Sequence, residues 1–370
     1  MPENLTLNLQ VLLPEFVVIG AGLAAVITEL LLPAGRRAQP IAWSCFLGLA
    51  IAFLMLVFGD FQGVAMKVTD VETGAVVTGW NSDPFSIFCR AVVAGGGALL
   101  VLISIGYTNR MDKGHGEFYA LLLFALSGVM LVAGVTDLLT LFVCLELVTI
   151  SAFVLAAFKR NDLRSTEAGL KYLVIGAVST AVLLLGIALI YGATGSLSFP
   201  ALTAAVQDPA AVAEAIGQGG DPTRLAVMLY VGIGLALTGL LFKLGGVPFH
   251  IWIPDVYQGA PTPVTAFLST ASKAAGLILL IKFAVVIAPE VTNKELITFE
   301  WAIVTGQVAV ATLLFGTLAA IPQRNIKRLL AYSSIGHAGY LLMGIAAILS
   351  AHGEAASTDR AISSLLYYLM

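Results

Sequence analysis

The chain has 370 residues, of which 59% are hydrophobic and 11% charged, and its mean hydropathy is +0.95. Ordinary soluble domains carry about 25% charged residues, so the composition excludes a soluble globular fold and indicates an all-α polytopic membrane protein. The net charge of -3, without a long basic or acidic run, excludes nucleic acid as a partner and leaves the lipid bilayer and other membrane subunits.

No Lys or Arg precedes Leu13. The first apolar run therefore lacks the basic n-region of a cleaved signal peptide and reads as a retained helix. A spanning helix needs about 20 mostly apolar residues. That rule places helices at residues 11–32, 40–59, 84–106, 117–134, 136–158, 167–192, 224–257 (broken), 264–288, 298–320 and 326–350, with an eleventh starting near 360. Backbone groups inside a bilayer must be satisfied within the segment, which favours helices over strands. Cys45, Cys89 and Cys144 lie inside apolar runs without CxxC or Cys/His spacing and read as small buried hydrophobes, so no disulfide or metal site is expected.

Basic residues alternate between the connections. Arg36, Arg37, Arg110, Lys113, Lys159, Arg160, Arg164, Arg324, Lys327 and Arg328 fall on one side. Lys67, Arg224, Lys294 and Arg360 fall on the other, with acids such as Asp70, Glu72, Asp208, Glu214, Glu290 and Glu295. The richer side is cytoplasmic by the positive-inside rule, which puts the N-terminus outside.

Five basic residues remain within or at the ends of helices: Arg90, Lys171, Lys243, Lys273 and Lys282. A charge at the bilayer centre costs about 2.5–3.5 kcal/mol on insertion scales, so each is a candidate functional residue. Lys243 stands directly before Gly245-Gly246-Val247-Pro248, where the proline removes an N–H and disfavours helix at Val247. The helix is expected to break there and to free carbonyls for water or cations; the competing reading is snorkelling to an interface. Lys273 is ten residues into its run, roughly 15 Å deep, beyond easy snorkelling. Lys282 is open to snorkelling or an exit-path role. Lys171 either snorkels near the basic loop or joins Lys243 and Glu146 in a network. Arg90, near the outer end of the third helix, is expected as an interface anchor.

Glu146 falls near the midpoint of the fifth helix, where a carboxylate must be paired, protonated or hydrated. It is either half of a structural ion pair or a proton carrier. Burial favours a lysine's neutral form and a nearby carboxylate its charged form, so movement of Glu146 relative to Lys243 would load or release a proton. His337, amid Ser333, Ser334 and Tyr340, is expected as a buried relay, and His250 as a cap on freed carbonyls at the break.

The stretch Phe242-Lys243-Leu244-Gly245-Gly246-Val247-Pro248-Phe249-His250-Ile251-Trp252-Ile253-Pro254-Asp255-Val256-Tyr257-Gln258-Gly259-Ala260-Pro261-Thr262-Pro263 closely resembles the proton-conducting membrane family shared by respiratory complex I and Mrp-type cation/proton antiporters. With the following Ser-Thr-Ala-Ser-Lys273 it looks like the N-type branch of NADH-quinone oxidoreductase. Supporting matches are Leu145-Glu146-Leu147, residues 167–176 (EAGLKYLVIG) and residues 325–339 (NIKRLLAYSSIGHAG). The resemblance covers about residues 11–370.

It implies inverted five-helix repeats, each with a broken helix, following three N-terminal helices. Residues 1–116 would hold those helices, 117–288 the first repeat and 289–370 an incomplete second one. It also implies a proton path of Glu146, Lys243, Lys273 and His337, with Lys171, His250 and Lys282 as accessories, and proton translocation driven by quinone reduction elsewhere in the complex. Location in a bacterial inner membrane follows from the same resemblance. No cofactor is expected in the chain itself; NADH, FMN, iron-sulfur clusters and quinone would belong to other subunits. The alternatives are a Mrp-type Na⁺/H⁺ antiporter subunit and a structural scaffold whose charges only lock helices. Family members have about fourteen helices, whereas this chain stops some ten residues into the eleventh, so it is expected to be a truncated product, a fragment or one part of a split polypeptide.

Overall fold

The computed structural model describes residues 9–33, 37–61, 64–69, 76–111, 113–208, 211, 222–288, 301–351 and 354–370. Of the loop charges that set the topology, Arg36, Asp70, Glu72, Glu214, Glu290, Lys294 and Glu295 lie outside the described residues. Among the described residues ten helical segments are long and apolar enough to cross a membrane, Thr262–Ile287 counting as one of them. In chain order α1 is Leu13–Leu31, α2 Ala38–Phe58, α3 Pro84–Thr108, α4 His115–Val132, α5 Leu138–Ala156, α6 Leu163–Thr194 and α7 Phe199–Gln207. The order continues with α8 Pro222–Leu244, α9 Ile253–Gly259, α10 Thr262–Ser269, α11 Ala271–Ile287, α12 Trp301–Ala320, α13 Ile326–Ser350 and α14 Ala355–Leu369. The eleventh helix thus begins at Ala355, earlier than its apolarity suggests, and its 15 residues make roughly 22 Å. Asp359 and Arg360, its fifth and sixth residues, interrupt the apolar pattern without preventing helix.

Two compact units are present. The first comprises Met1–Leu173 with Val256–Ala275, the second Val174–Asp255 with Gly276–Met370.

In the first unit α1 packs on α2 and α4, α2 on α3, and α4 on α5, with α10 against α3 and α5. Residues 61–83, expected only as a connection, contain an antiparallel hairpin of β1 (Val64–Thr69) and β2 (Val76–Ser82). The second strand finds a further partner at the α4–α5 turn. Trp80 forms an isolated bridge with Val135, Asn81 N–H donates to the Gly134 carbonyl at 2.7 Å, and the indole N–H of Trp80 donates to Leu131 O at 2.8 Å. Backbone groups of the strand are thereby paired away from bulk water, which an irregular loop would not achieve.

Arg90 is not an interface anchor. It is 0% exposed, and its guanidinium donates to both oxygens of Glu15 at 2.7 Å, to Val11 O at 2.8 Å and to Ser82 Oγ at 3.3 Å, with the Trp80 ring 4.9 Å away. A planar fork meeting a carboxylate with two bonds is the strong form of ion pair. It replaces the water that an interfacial arginine would seek, which is why Arg90 can stay inside. At the other end of α1, Glu29 fills the start of α4, accepting from the N–H groups of Gly114 at 2.8 Å, His115 at 3.2 Å and Gly116. Those donors have no partner within their own helix.

In the second unit α6 and α8 cross where Gly186 meets Gly232: a Cβ on Gly186 would lie 2.7 Å from Gly232 O, and one on Gly232 2.9 Å from Gly186 O. Small residues at such crossings let backbones approach, the usual basis of helix association in lipid. Ser179 Oγ adds a bond to Gly239 O at 3.2 Å. α12 packs along α13, and α14 on α13.

Candidate functional site

α8 ends at Leu244, one residue after Lys243, which is only 2% exposed. Gly245 has φ +87, a conformation that only glycine adopts freely, and a Cβ there would also strike Ile253 Cδ1. Its N–H reaches Leu241 O at 2.9 Å and Phe242 O at 3.2 Å, and Gly246 N–H reaches Leu241 O at 3.1 Å. The Trp252 indole donates to Phe242 O at 3.3 Å. The expected break is present, but the carbonyls of Leu241 and Phe242 are taken by protein donors and not left for an ion. Val247 N–H donates to Thr312 Oγ1 on α12 at 3.0 Å, and Asp255 on α9 meets Arg328 on α13 at 2.6 Å. Helix resumes at Ile253.

A second interruption is not visible as an apolarity change. Residues 264–288 read as one run, yet α10 stops at Ser269 and α11 starts at Ala271, with Thr270 at φ -117 and ψ -84 between them. Ser269 Oγ, Thr270 Oγ1 and Thr270 N–H all donate to Ala266 O, at 3.0, 2.8 and 3.2 Å. Hydroxyls bonding back to a carbonyl three or four residues earlier bend helices. Lys273 is consequently the third residue of α11, in the turn after the break, and is 7% exposed. Its position in the run suggested the middle of a continuous helix.

Glu146 is the ninth residue of α5, half-buried. The helix is started by Asp137, whose carboxylate accepts from Thr140 N–H at 2.7 Å and Thr140 Oγ1 at 2.6 Å. Lys171 pairs with Glu167 one turn earlier at 2.8 Å, both partly exposed. Lys282 is half-buried on α11.

His250 is not the cap it was expected to be. It is 7% exposed, its Nδ1 has no hydrogen-bond partner among the described residues, and its ring lies 4.3 Å from that of Phe315. The backbone N–H groups and the Trp252 indole already serve the carbonyls it might have reached. His337, expected buried, is exposed on α13, with Nδ1 bonded to the Tyr368 hydroxyl of α14. The periodicity of α13 turns Gly336 and Ala338 inward and leaves the imidazole outside the pair formed with α12.

Glu15, the partner of Arg90, is the charged residue that the sequence reading passed over. Its signal was available: a carboxylate inside an apolar run of membrane length needs a partner there. Among the described residues no three His, Cys, Asp or Glu side chains gather as metal ligands.

Ten apolar helices with lysines enclosed beside two helix breaks define a polytopic membrane protein that carries charge at membrane depth. Residues 133–370 match the sequence model of the family described as NADH:quinone oxidoreductase/Mrp antiporter, TM, and the chain belongs to that family. It is 38% identical to NADH-quinone oxidoreductase subunit N of Trichlorobacter lovleyi, over 99% of this chain and 67% of that protein. Across several curated relatives the chain spans about two thirds of their length. Respiratory complex I from Thermus thermophilus with bound aureothin contains a similar chain, at TM-score 0.68 and 29% identity, covering 96% of this chain and 69% of that one. A chain of the Mrp complex from Dietzia sp. DQ12-45-1b shares the fold at TM-score 0.74 and 24% identity, with 97% and 36% covered.

Proposed function

We propose that the chain is a proton-translocating membrane-arm subunit of NADH-quinone oxidoreductase, moving protons along Glu146, Lys243, Lys273 and His337 with Lys171, His250 and Lys282 as accessory groups. The observation that carries this reading is the placement of Lys243 and Lys273, 2% and 7% exposed, each within three residues of a helix interruption. An ammonium held there is costly unless its proton can leave or a counter-charge is at hand, so its charge state is sensitive to its surroundings. The chain supplies proton carriers and no redox chemistry. Electron transfer from NADH through FMN and iron-sulfur clusters to quinone belongs to partner subunits, and neighbouring membrane subunits flank this one. The same reading places it in a bacterial inner membrane with the N-terminus outside, and divides it into residues 1–116, a first repeat at 117–288 and part of a second at 289–370.

A Mrp-type Na⁺/H⁺ antiporter subunit would use the same fold. The relatives that match across nearly the whole chain at 35–38% identity are named as quinone oxidoreductase subunits, which favours the first reading. Replacing Lys243 by Met in the assembled complex tests it: proton translocation is expected to fail while the complex still assembles. Intact pumping would leave only a scaffold role for the buried charges.

A further inference from the structure

The break after Lys243 rests on α12 and α13, all within the second unit. A Cβ on Gly246 would lie 3.3 Å from Leu342 Cδ1 of α13 and 3.7 Å from Val308 Cγ1 of α12, and the His250 ring lies 4.3 Å from that of Phe315. Gly276 of α11 lies against the same helix end: a Cβ there would meet Leu244 N at 3.2 Å and Lys243 Cβ at 3.4 Å.

Backbone donors at the break are served in two ways. The N–H groups of Gly245 and Gly246 turn back onto Leu241 and Phe242 and close α8 on itself. Val247 N–H, the next donor along, reaches across to Thr312 Oγ1 at 3.0 Å. Thr312 is 0% exposed and donates its own hydrogen to Val308 O at 2.6 Å, one turn back in α12. A hydroxyl has one hydrogen and two lone pairs, so the oxygen is left oriented as an acceptor for the break. The inward stripe of α12 is Thr305, Ala309, Thr312 and Gly316, small residues that seat it against α13. Valine would fill the same space at 312, so packing does not call for a hydroxyl. What the oxygen adds is a fixed point for the backbone four residues beyond Lys243.

We infer that Thr312 is a positioning residue for Lys243: by holding Val247 N–H it fixes the end of α8 against α12, and with it the place from which the ammonium works. This role rests on the proton-translocation reading above and extends it to an uncharged side chain on another helix. The Asp255–Arg328 pair at 2.6 Å holds the far end of the same segment, where α9 begins. That pair is partly exposed and therefore weak. The Thr312 bond is enclosed, and a buried donor left without its acceptor carries its full desolvation cost. Without the oxygen, Val247 N–H must find another partner and the segment shifts to do so. A misplacement of about 1 Å can cost 100-fold in rate.

Thr312→Val and Thr312→Ser are compared in the complete assembled complex, with Lys243→Met as the reference for flux that depends on this chain. Proton translocation per NADH oxidised, quinone reduction and assembly are measured on each, together with amide exchange of the peptide spanning residues 245–252. Thr312→Val is expected to lose most of the flux that Lys243→Met loses, and to exchange roughly tenfold faster at Val247 for the lost hydrogen bond. Thr312→Ser keeps the oxygen and is expected to retain both properties, a rescue that a residue needed only for packing would not show. Equal flux in Thr312→Val and Thr312→Ser, with flux lost in Lys243→Met, overturns this inference alone; unchanged flux in all three overturns the proton-translocation reading itself. Should Thr312→Val fail to assemble, Thr312→Ala decides, because the space it opens lets a water serve Val247 N–H without holding it to α12. Flux reduced relative to Thr312→Ser supports the inference, and equal flux refutes it.

Discussion

Replacing Arg90 by methionine would strand the Glu15 carboxylate, which is 1% exposed, without the two donors that now reach it at 2.7 Å. Removing one partner of a buried ion pair costs about 3–5 kcal/mol because the remaining charge stays uncompensated. Most of that cost belongs to the orphaned carboxylate and not to the lost arginine, so it should be largely recovered when Glu15 is changed to glutamine in the same chain. The recovery is incomplete. Arg90 also donates to Val11 O and Ser82 Oγ and lies 4.9 Å from the Trp80 ring, and each neutral bond is worth about 1 kcal/mol. At 1.4 kcal/mol per decade, the single variant is expected to lower the folded-to-unfolded ratio by roughly 100-fold or more. Reversible unfolding in detergent of the two single variants and the double variant gives the coupling energy directly. A single-variant cost below about 1 kcal/mol, the value of a solvent-exposed pair, would refute the claim that this pair is sealed inside the first unit.

Glu29→Ala would leave the N–H groups of residues 114–116 at the start of α4 without their carboxylate. A loss of about 1–2 kcal/mol is expected, read as faster amide exchange confined to that turn; unchanged exchange there would show that another group serves those donors. Gly232→Leu places a Cβ 2.9 Å from Gly186 O and 3.0 Å from Ile190 N, both backbone atoms that cannot swing aside. The α6–α8 crossing should open at a cost of about 2 kcal/mol or more, lowering the detergent unfolding midpoint, whereas a neutral result would mean the helices can separate without penalty.

Apolar runs of membrane length were enough to place the ten long helices, because hydrocarbon demands both continuous apolarity and internal backbone pairing. The break after Lys243 was equally legible: Gly245 must take φ +87 and Pro248 has no N–H to offer. Tertiary structure decided what apolarity does not encode. Whether the helix between Val264 and Ala288 continues through Thr270 depends on how hydroxyls share one carbonyl, and both outcomes look the same in hydropathy. The second strand of the hairpin is supported in part by the α4–α5 turn far along the chain, a pairing with no local signal. Arg90 could be called an anchor or a core residue only after Glu15, 75 residues away in sequence, was seen beside it. His337 faced outward because helical phase relative to α12, not sequence position, sets which side of α13 is enclosed. Sequence by itself therefore determined which segments enter the membrane and which charges needed explaining, since those follow from the solvent. Which partner satisfies each charge was a matter of long-range geometry, and only the folded chain supplied it.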